Sequence, residues 1–194
     1  MFILQLARSK NKILTTGGFT LVEMMVSISI IVLITGLALV RYSAFNSAVL
    51  LKSQALEMAL DIRQAQAYGV SVSVQTGNAR RAYGMAWDDS SNTYQLFQDT
   101  VTENGALDNG EAIGQTYTID PRFEISDITA VGSNCSGDIA KAAVTFKRPN
   151  FDAIIWTAGG CTSESSLTVV LRSVEDSSVS RTINVYASGQ ITVE

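Results

Sequence analysis

The chain has 194 residues, a formal net charge of −4 and no histidine, which removes the commonest general base and the commonest zinc ligand. Its first eighteen residues hold three basic side chains, Arg8, Lys10 and Lys12, and no acidic one, so everything after them is net −7. That balance disfavours nucleic-acid binding, where clustered Lys and Arg supply most of the affinity, and the length leaves room for one long helix and one further domain.

The basic segment ends at Gly17-Gly18-Phe19-Thr20-Leu21-Val22-Glu23, followed at once by MMVSISIIVLITGLALV up to Val40. About twenty apolar residues are what a helix needs to cross a hydrocarbon core of about 30 Å. Glu23 lies in the first turn of that run, where a carboxylate costs about 2.5–3.5 kcal/mol on insertion scales and needs a partner or a role. A plain signal anchor, with Glu23 snorkelling to the interface, is the bland alternative. A Sec-type signal places its apolar core before the cleavage site, whereas here the long apolar core follows Gly18. The basic residues precede the span and only Arg41 follows it closely. The positive-inside rule therefore puts the N-terminus in the cytoplasm and everything past Val40 outside. The apolar start Phe2-Ile3-Leu4 has no physical account.

From Arg41 to about Tyr68 the pattern becomes amphipathic, with no Pro or Gly. Ala48, Leu51, Ala55, Met58, Ala59 and Ile62 follow helical spacing, with Lys52, Gln54, Glu57, Asp61 and Gln64 mainly on the other side. One continuous helix from Thr20 to near Tyr68 is expected, with Gly36 its weak interior point and its second half lying on a sheet as core. Gly69 is expected to end it as a C′ glycine.

Beyond Gly69, alternation predicts strands at Val70-Val72-Val74, Tyr83-Met85-Trp87, Tyr94-Leu96, Tyr117-Ile119, Phe123-Ile125, Val144-Phe146, Ile154-Trp156, Leu167-Val169-Leu171, Ile183-Val185 and Ile191-Val193. Turn formers such as Asp88 to Asn92, Asn109-Gly110 and Ser188-Gly189 separate them. The expected fold is α+β: a long N-terminal helix, transmembrane over 21–40 and then amphipathic, packed on a C-terminal antiparallel β-sheet domain over 69–194.

Asp99, Glu103, Asn104, Asp108 and Glu111 are oxygen donors close in sequence, and calcium takes six to eight such oxygens. Thr100, Val101 and Thr102 occupy positions where an EF-hand would need a donor, so a solvated hairpin loop is favoured over a calcium site. Cys135 and Cys161, the only cysteines, sit in Gly/Ser-rich turn sequence. Outside the membrane an even pair is most simply a disulfide, and closing a loop of about 25 residues would stabilise by about 3 kcal/mol. A metal pair or a nucleophile lacks any His to assist it. No catalytic constellation, phosphate-binding loop or cofactor motif is present, and the chain reads as a non-enzyme without a cofactor.

The segment from Gly17 to Val40 resembles the processing site of type IV prepilins and pseudopilins. The resemblance implies removal of residues 1–18 by a prepilin peptidase cutting between Gly18 and Phe19, and methylation of the new N-terminus at Phe19. It also implies that Glu23, fifth in the mature chain, pairs with the free amine of a neighbouring subunit during assembly. Four further stretches are similar to the GspH/FimT-type minor pseudopilins. These are Leu56 to Ala67, the acidic turn from Gln98 to Glu111, Val144 to Pro149, and Arg181 to Gly189. DNA-receptor members of that family end in a basic Gly-Arg-x-Arg, whereas here Gly189 is followed by Gln190, Ile191 and Thr192.

The expected function is a structural subunit, a minor pilin or pseudopilin of a type II secretion pseudopilus or a type IV pilus. It would be held single-pass in the bacterial inner membrane before assembly, with a prepilin peptidase and other pilin subunits as partners. Two alternatives stay open. One is a pilus-tip module binding a substrate, a surface or DNA through the acidic loop or the cysteine region. The other is a singly anchored envelope protein that never assembles.

Overall fold

The computed structural model describes residues 17–71, 81–133, 139–160 and 162–194. The chain divides into two compact units, Met1–Tyr42 and Ser43–Glu194, and helix α1, Leu21–Val70, runs across that division.

In the first unit the start of α1 is fixed locally. The Thr20 hydroxyl accepts the Glu23 amide at 3.2 Å, and the Thr20 carbonyl accepts the Met24 amide at 3.1 Å. Thr20 is therefore the N-cap and Glu23 the N3 residue, the Thr-x-x-Glu spacing of a capping box, with the carboxylate at the positive end of the helix dipole. Leu21–Leu39 has a mean hydropathy of 2.3 and no part of it is buried, so this helix is long and apolar enough to span a membrane. Its two serines donate to carbonyls one turn back, Ser27 to Glu23 at 2.7 Å and Ser29 to Met25 at 2.8 Å. Neither hydroxyl is left unpaired on the apolar surface.

The second unit carries the strands. The strands are β1 Ala82–Asp88, β2 Thr93–Asp99, β3 Tyr117–Thr118, β4 Phe123–Ser133, β5 Lys141–Phe146, β6 Ala153–Thr157, β7 Thr162–Ser173, β8 Ser180–Tyr186 and β9 Ile191–Val193. Sheet A has the order β3-β2-β1-β5-β6 and sheet B the order β4-β7-β8-β9, with every pair antiparallel. There are thus two sheets, where the sequence suggested one.

Leu51, Ala55, Met58, Ala59, Ile62 and Ala65 of α1 are buried at helical spacing, in one cluster with the inner faces of both sheets. Met85, Trp87, Tyr94, Leu96, Val144 and Phe146 come from sheet A, and Phe123, Ile128, Leu167, Val169, Leu171, Ile183 and Val185 from sheet B. Each fully buried Leu, Ile, Met, Val or Phe contributes about 1.5–3 kcal/mol relative to exposure. Two polar links fix the register between helix and sheet. The Trp87 indole N–H meets the Met58 sulfur at 3.2 Å, and the Tyr94 hydroxyl donates to Asp61 Oδ2 at 3.0 Å. Burial raises the Tyr94 pKa, reinforced by the Asp61 carboxylate beside it.

Gly69 does not cap the helix. α1 continues through it to Val70, and its φ is not among the positive ones. A Cβ at Gly69 would lie 2.3 Å from the Phe146 carbonyl oxygen, so the residue is small because β5 passes close by. The helix end is closed instead by Arg148, whose Nε donates to the Val70 carbonyl at 2.6 Å, a cation at the negative pole of the dipole. Val70 belongs to the helix, and the predicted strand positions Val72 and Val74 lie outside the described residues.

In β6 the parity is opposite to the expected one. Ala153, Ile155 and Thr157 are buried, while Ile154 is 52% exposed and Trp156 half-buried on the outer face. The reason is register: Val144 pairs with Ile155, so the two residues inward on β5 and β6 are those. β4 runs further than expected because register shifts after Ile125, which lets Phe123, Ile125 and then Ile128 all reach the core.

Candidate functional site

The outer face of sheet A is built from one parity of its strands, and the register arranges those residues in rows. The first row is Phe97, Gly84, Thr145 and Ile154, the second Gln95, Ala86, Ala143 and Trp156, and the third Thr93, Asp88 and Lys141. Neighbours within a row sit about 4.8 Å apart, one strand spacing.

The first row is roofed by the segment after β2. Phe97 and Thr145 are fully buried, Gly105 lies 3.7 Å from both the Thr145 hydroxyl and the Trp156 Cβ by its would-be Cβ, and Phe97 bridges to Ala112. That segment is the acidic loop, and it is not the solvated hairpin expected. Glu111 is only 2% exposed. Its Oε1 accepts the amides of Thr100 and Val101, both at 2.6 Å, and its Oε2 accepts the amide of Asp108 at 2.9 Å. Three N–H donors supply what water would, which makes burial of a carboxylate tolerable. Asp108 Oδ2 takes the Thr102 hydroxyl at 2.5 Å and the Asn104 amide at 3.3 Å. Glu103 is paired with Lys147 at 2.8 Å, which holds its carboxyl below the usual range.

Asp99 differs from the rest. It is 3% exposed, its Oδ2 accepts the Gly105 amide at 2.8 Å, and its Oδ1 is buried without a partner. Burial raises its pKa against the pull of that amide, and the nearby Glu111 and Glu103 charges push the same way. The four acidic side chains offered by the sequence as calcium ligands are thus turned toward separate partners. Among the described residues, no group of three or more His, Cys, Asp or Glu side chains is placed to hold a metal ion.

The second and third rows are only partly covered: Ala143 is buried at 1% exposure, while Ala86, Gln95, Trp156, Thr93 and Asp88 are half-buried and Lys141 is exposed. They floor a cleft of about 340 Å³, whose walls are Trp156 on one side and Gln95 on the other, with Leu107 and Thr116 of the loop along the rim. Asp88 and Lys141 close one end as an ion pair at 2.9 Å. Burial pushes the Asp88 pKa up, but the Ser90 hydroxyl, Lys141 and the Ser91 amide outweigh it and hold the carboxyl below its ordinary value. Sequence reading missed this cleft. The signal available was the small outward parity of β1 and β5, Gly84-x-Ala86 and Ala143, opposite a tryptophan.

Of the other residues singled out, Gly18 and Phe19 lie exposed ahead of α1, and Glu23 sits at N3 as described. Cys135 and Cys161 are outside the described residues. No family model matches the chain, and neither does any curated protein or solved structure.

Proposed function

We propose that the chain is a membrane-held structural subunit of a pilin-type filament, a minor pilin or pseudopilin, matured by cleavage between Gly18 and Phe19 and methylation of Phe19. The observation that carries this reading is the start of α1. Thr20 caps a helix whose only charge before its apolar run is Glu23, and Leu21–Leu39 leaves its whole apolar surface uncovered. Such a surface is stable only against lipid or other helices. A carboxylate at the third helical position, four residues from a new amine, suits pairing with a cation equally badly solvated. Further along α1, Val49, Leu56 and Leu60 are exposed at 49%, 45% and 60%, on the side of the helix opposite the buried cluster. Their spacing suits packing against neighbouring helices. The second half of α1, laid on the two sheets, would carry the strands outside the membrane, with the N-terminus cytoplasmic before assembly. The partly covered cleft on sheet A favours a second reading, in which the same subunit displays a binding surface.

The test is the intact mass and N-terminal residue of the chain made together with a prepilin peptidase, and then the fate of Glu23→Ala. A start at Phe19 with one added methyl, and loss of incorporation into filaments for Glu23→Ala, are the expected results. Retention of residues 1–18 would sink the reading.

A further inference from the structure

We infer that the cleft on the outer face of sheet A is a binding site for an uncharged, polyhydroxylated ring, a neutral saccharide unit. The shape follows from the register. Ala86 and Ala143 lie side by side between Gln95 and Trp156, and with Ala143 buried at 1% exposure the floor is open chiefly at the Ala86 methyl, each wall being a long side chain. From wall to wall the row spans three strand spacings, about 14 Å between Cα atoms, of which the side chains fill the outer parts. A flat ring fits the remaining space, and about 340 Å³ is within the range of small-molecule sites.

The chemistry of the lining selects the class. Leu107, the Ala86 methyl and the Trp156 indole offer apolar surface suited to the C–H face of a ring. Around it, the Gln95 amide, the Thr116 hydroxyl and the Trp156 indole N–H have no hydrogen-bond partner among the described residues, although all three line the cleft. Gln and Thr each donate and accept, which matches hydroxyl groups that do both. An aromatic peptide side chain would use the apolar wall and leave Gln95 and Thr116 desolvated and unpaired. The ion pair argues against a charged ligand. Asp88 Oδ2 is taken by Lys141, and Oδ1 by the amide and hydroxyl of Ser90 at 3.1 and 2.5 Å. The pair is already neutralised internally, so the cleft carries no uncompensated charge to favour an ionic ligand, and a neutral ligand can accept from the remaining Lys141 N–H groups without disturbing it.

The experiment uses the full chain in lipid nanodiscs, because glycoside detergents would compete for the site. Cellobiose, maltose, lactose and N,N′-diacetylchitobiose are titrated singly to about 10 mM, followed by saturation-transfer NMR and tryptophan fluorescence, a range that captures millimolar affinities. N-acetyltyrosinamide serves as the aromatic comparison. The expected result is saturable binding of at least one disaccharide, weakened tenfold or more by Trp156→Ala, by Gln95→Ala and by the cleft-filling Ala86→Leu. Gln95→Ala, an outward change that removes no internal hydrogen bond, should keep the wild-type melting temperature, so its loss of binding would not reflect unfolding. The inference is overturned if no disaccharide saturates. It is equally overturned if binding ignores both Gln95→Ala and Ala86→Leu, or if N-acetyltyrosinamide binds in their place.

Discussion

Glu111 is the residue on which the acidic loop closes, and its replacement gives a graded test of that claim. Its two oxygens accept three backbone amides, those of Thr100, Val101 and Asp108. Glu111→Ala leaves all three without a partner. Each unpaired donor costs about 1–3 kcal/mol, but these bonds are only partly buried and water can reach some of them, so a total of about 3–5 kcal/mol is expected. Glu111→Gln keeps one oxygen for the Thr100 and Val101 pair and turns an NH₂ group toward the Asp108 amide, which should cost about 1–3 kcal/mol. The readout is amide hydrogen exchange, because the loss is local. At 1.4 kcal/mol per tenfold, the amides of Thr100, Val101 and Asp108 should exchange at least a hundredfold faster in Glu111→Ala. In Glu111→Gln the Asp108 amide should respond more than the other two, and Val144 in the middle of β5 should keep its protection in both variants. Equal effects of Ala and Gln, or unchanged exchange at all three amides, would refute the reasoning.

Asp99 sets a pH dependence of stated sign. Its pKa is raised in the folded chain by burial, so the folded state holds the proton more tightly than the unfolded state. The stabilisation is fully present below the unfolded value of about 3.9 and is lost as pH rises through the raised value. Asp99→Asn keeps an oxygen for the Gly105 amide and removes the charge, but it places an NH₂ group where Oδ1 has no partner, so the readout is the pH dependence: the variant should flatten that part of the urea-midpoint profile. An unchanged pH profile would contradict the assignment. Gly84→Ala should cost about 3 kcal/mol or more, because the new Cβ would fall 2.4 Å from the Val144 carbonyl oxygen and 2.8 Å from the Phe97 ring, and the backbone cannot retreat without parting β1 from β5. Gly159→Ala, with nothing within 4 Å, is the control and should stay within about 0.5 kcal/mol in the same denaturation assay.

Much of the strand content was legible because alternation is a local signal. Met85 and Trp87, or Leu167, Val169 and Leu171, announce an inward face without knowing what they face. What was not legible depends on partners distant in sequence. Ile154 and Trp156 read as a core pair until the β5 register puts Ile155 inward. The run after Ile125 lost its period at a register shift that the sequence does not mark. Gly69 fits a helix cap and a close approach equally well, and only the position of Phe146 decides. Glu111 looks like any acidic turn residue, since nothing local shows that three amides converge on it. For the cleft, each of Gln95, Ala86, Ala143 and Trp156 is unremarked on its own strand, and only the pairing of four strands makes them a row.

Asn92 has a consequence beyond the turn it occupies. With φ at 54°, it holds its side-chain amide against β4: Nδ2 donates to the Phe123 carbonyl at 2.9 Å and Oδ1 accepts the Ile125 amide at 2.8 Å. A primary amide has the same donor–acceptor pair as a peptide group, so this one side chain imitates a single residue of an adjoining strand. Further along, the Ile139 amide occupies the Ile128 carbonyl at 3.3 Å. β4, the longer of the two edge strands of sheet B at eleven residues, therefore presents its free edge with its leading hydrogen-bonding groups already occupied. A long bare margin of this kind is a template on which a second chain can polymerise in unwanted register. A protein concentrated beside identical copies gains from having that template blocked, and here a single asparagine blocks its start.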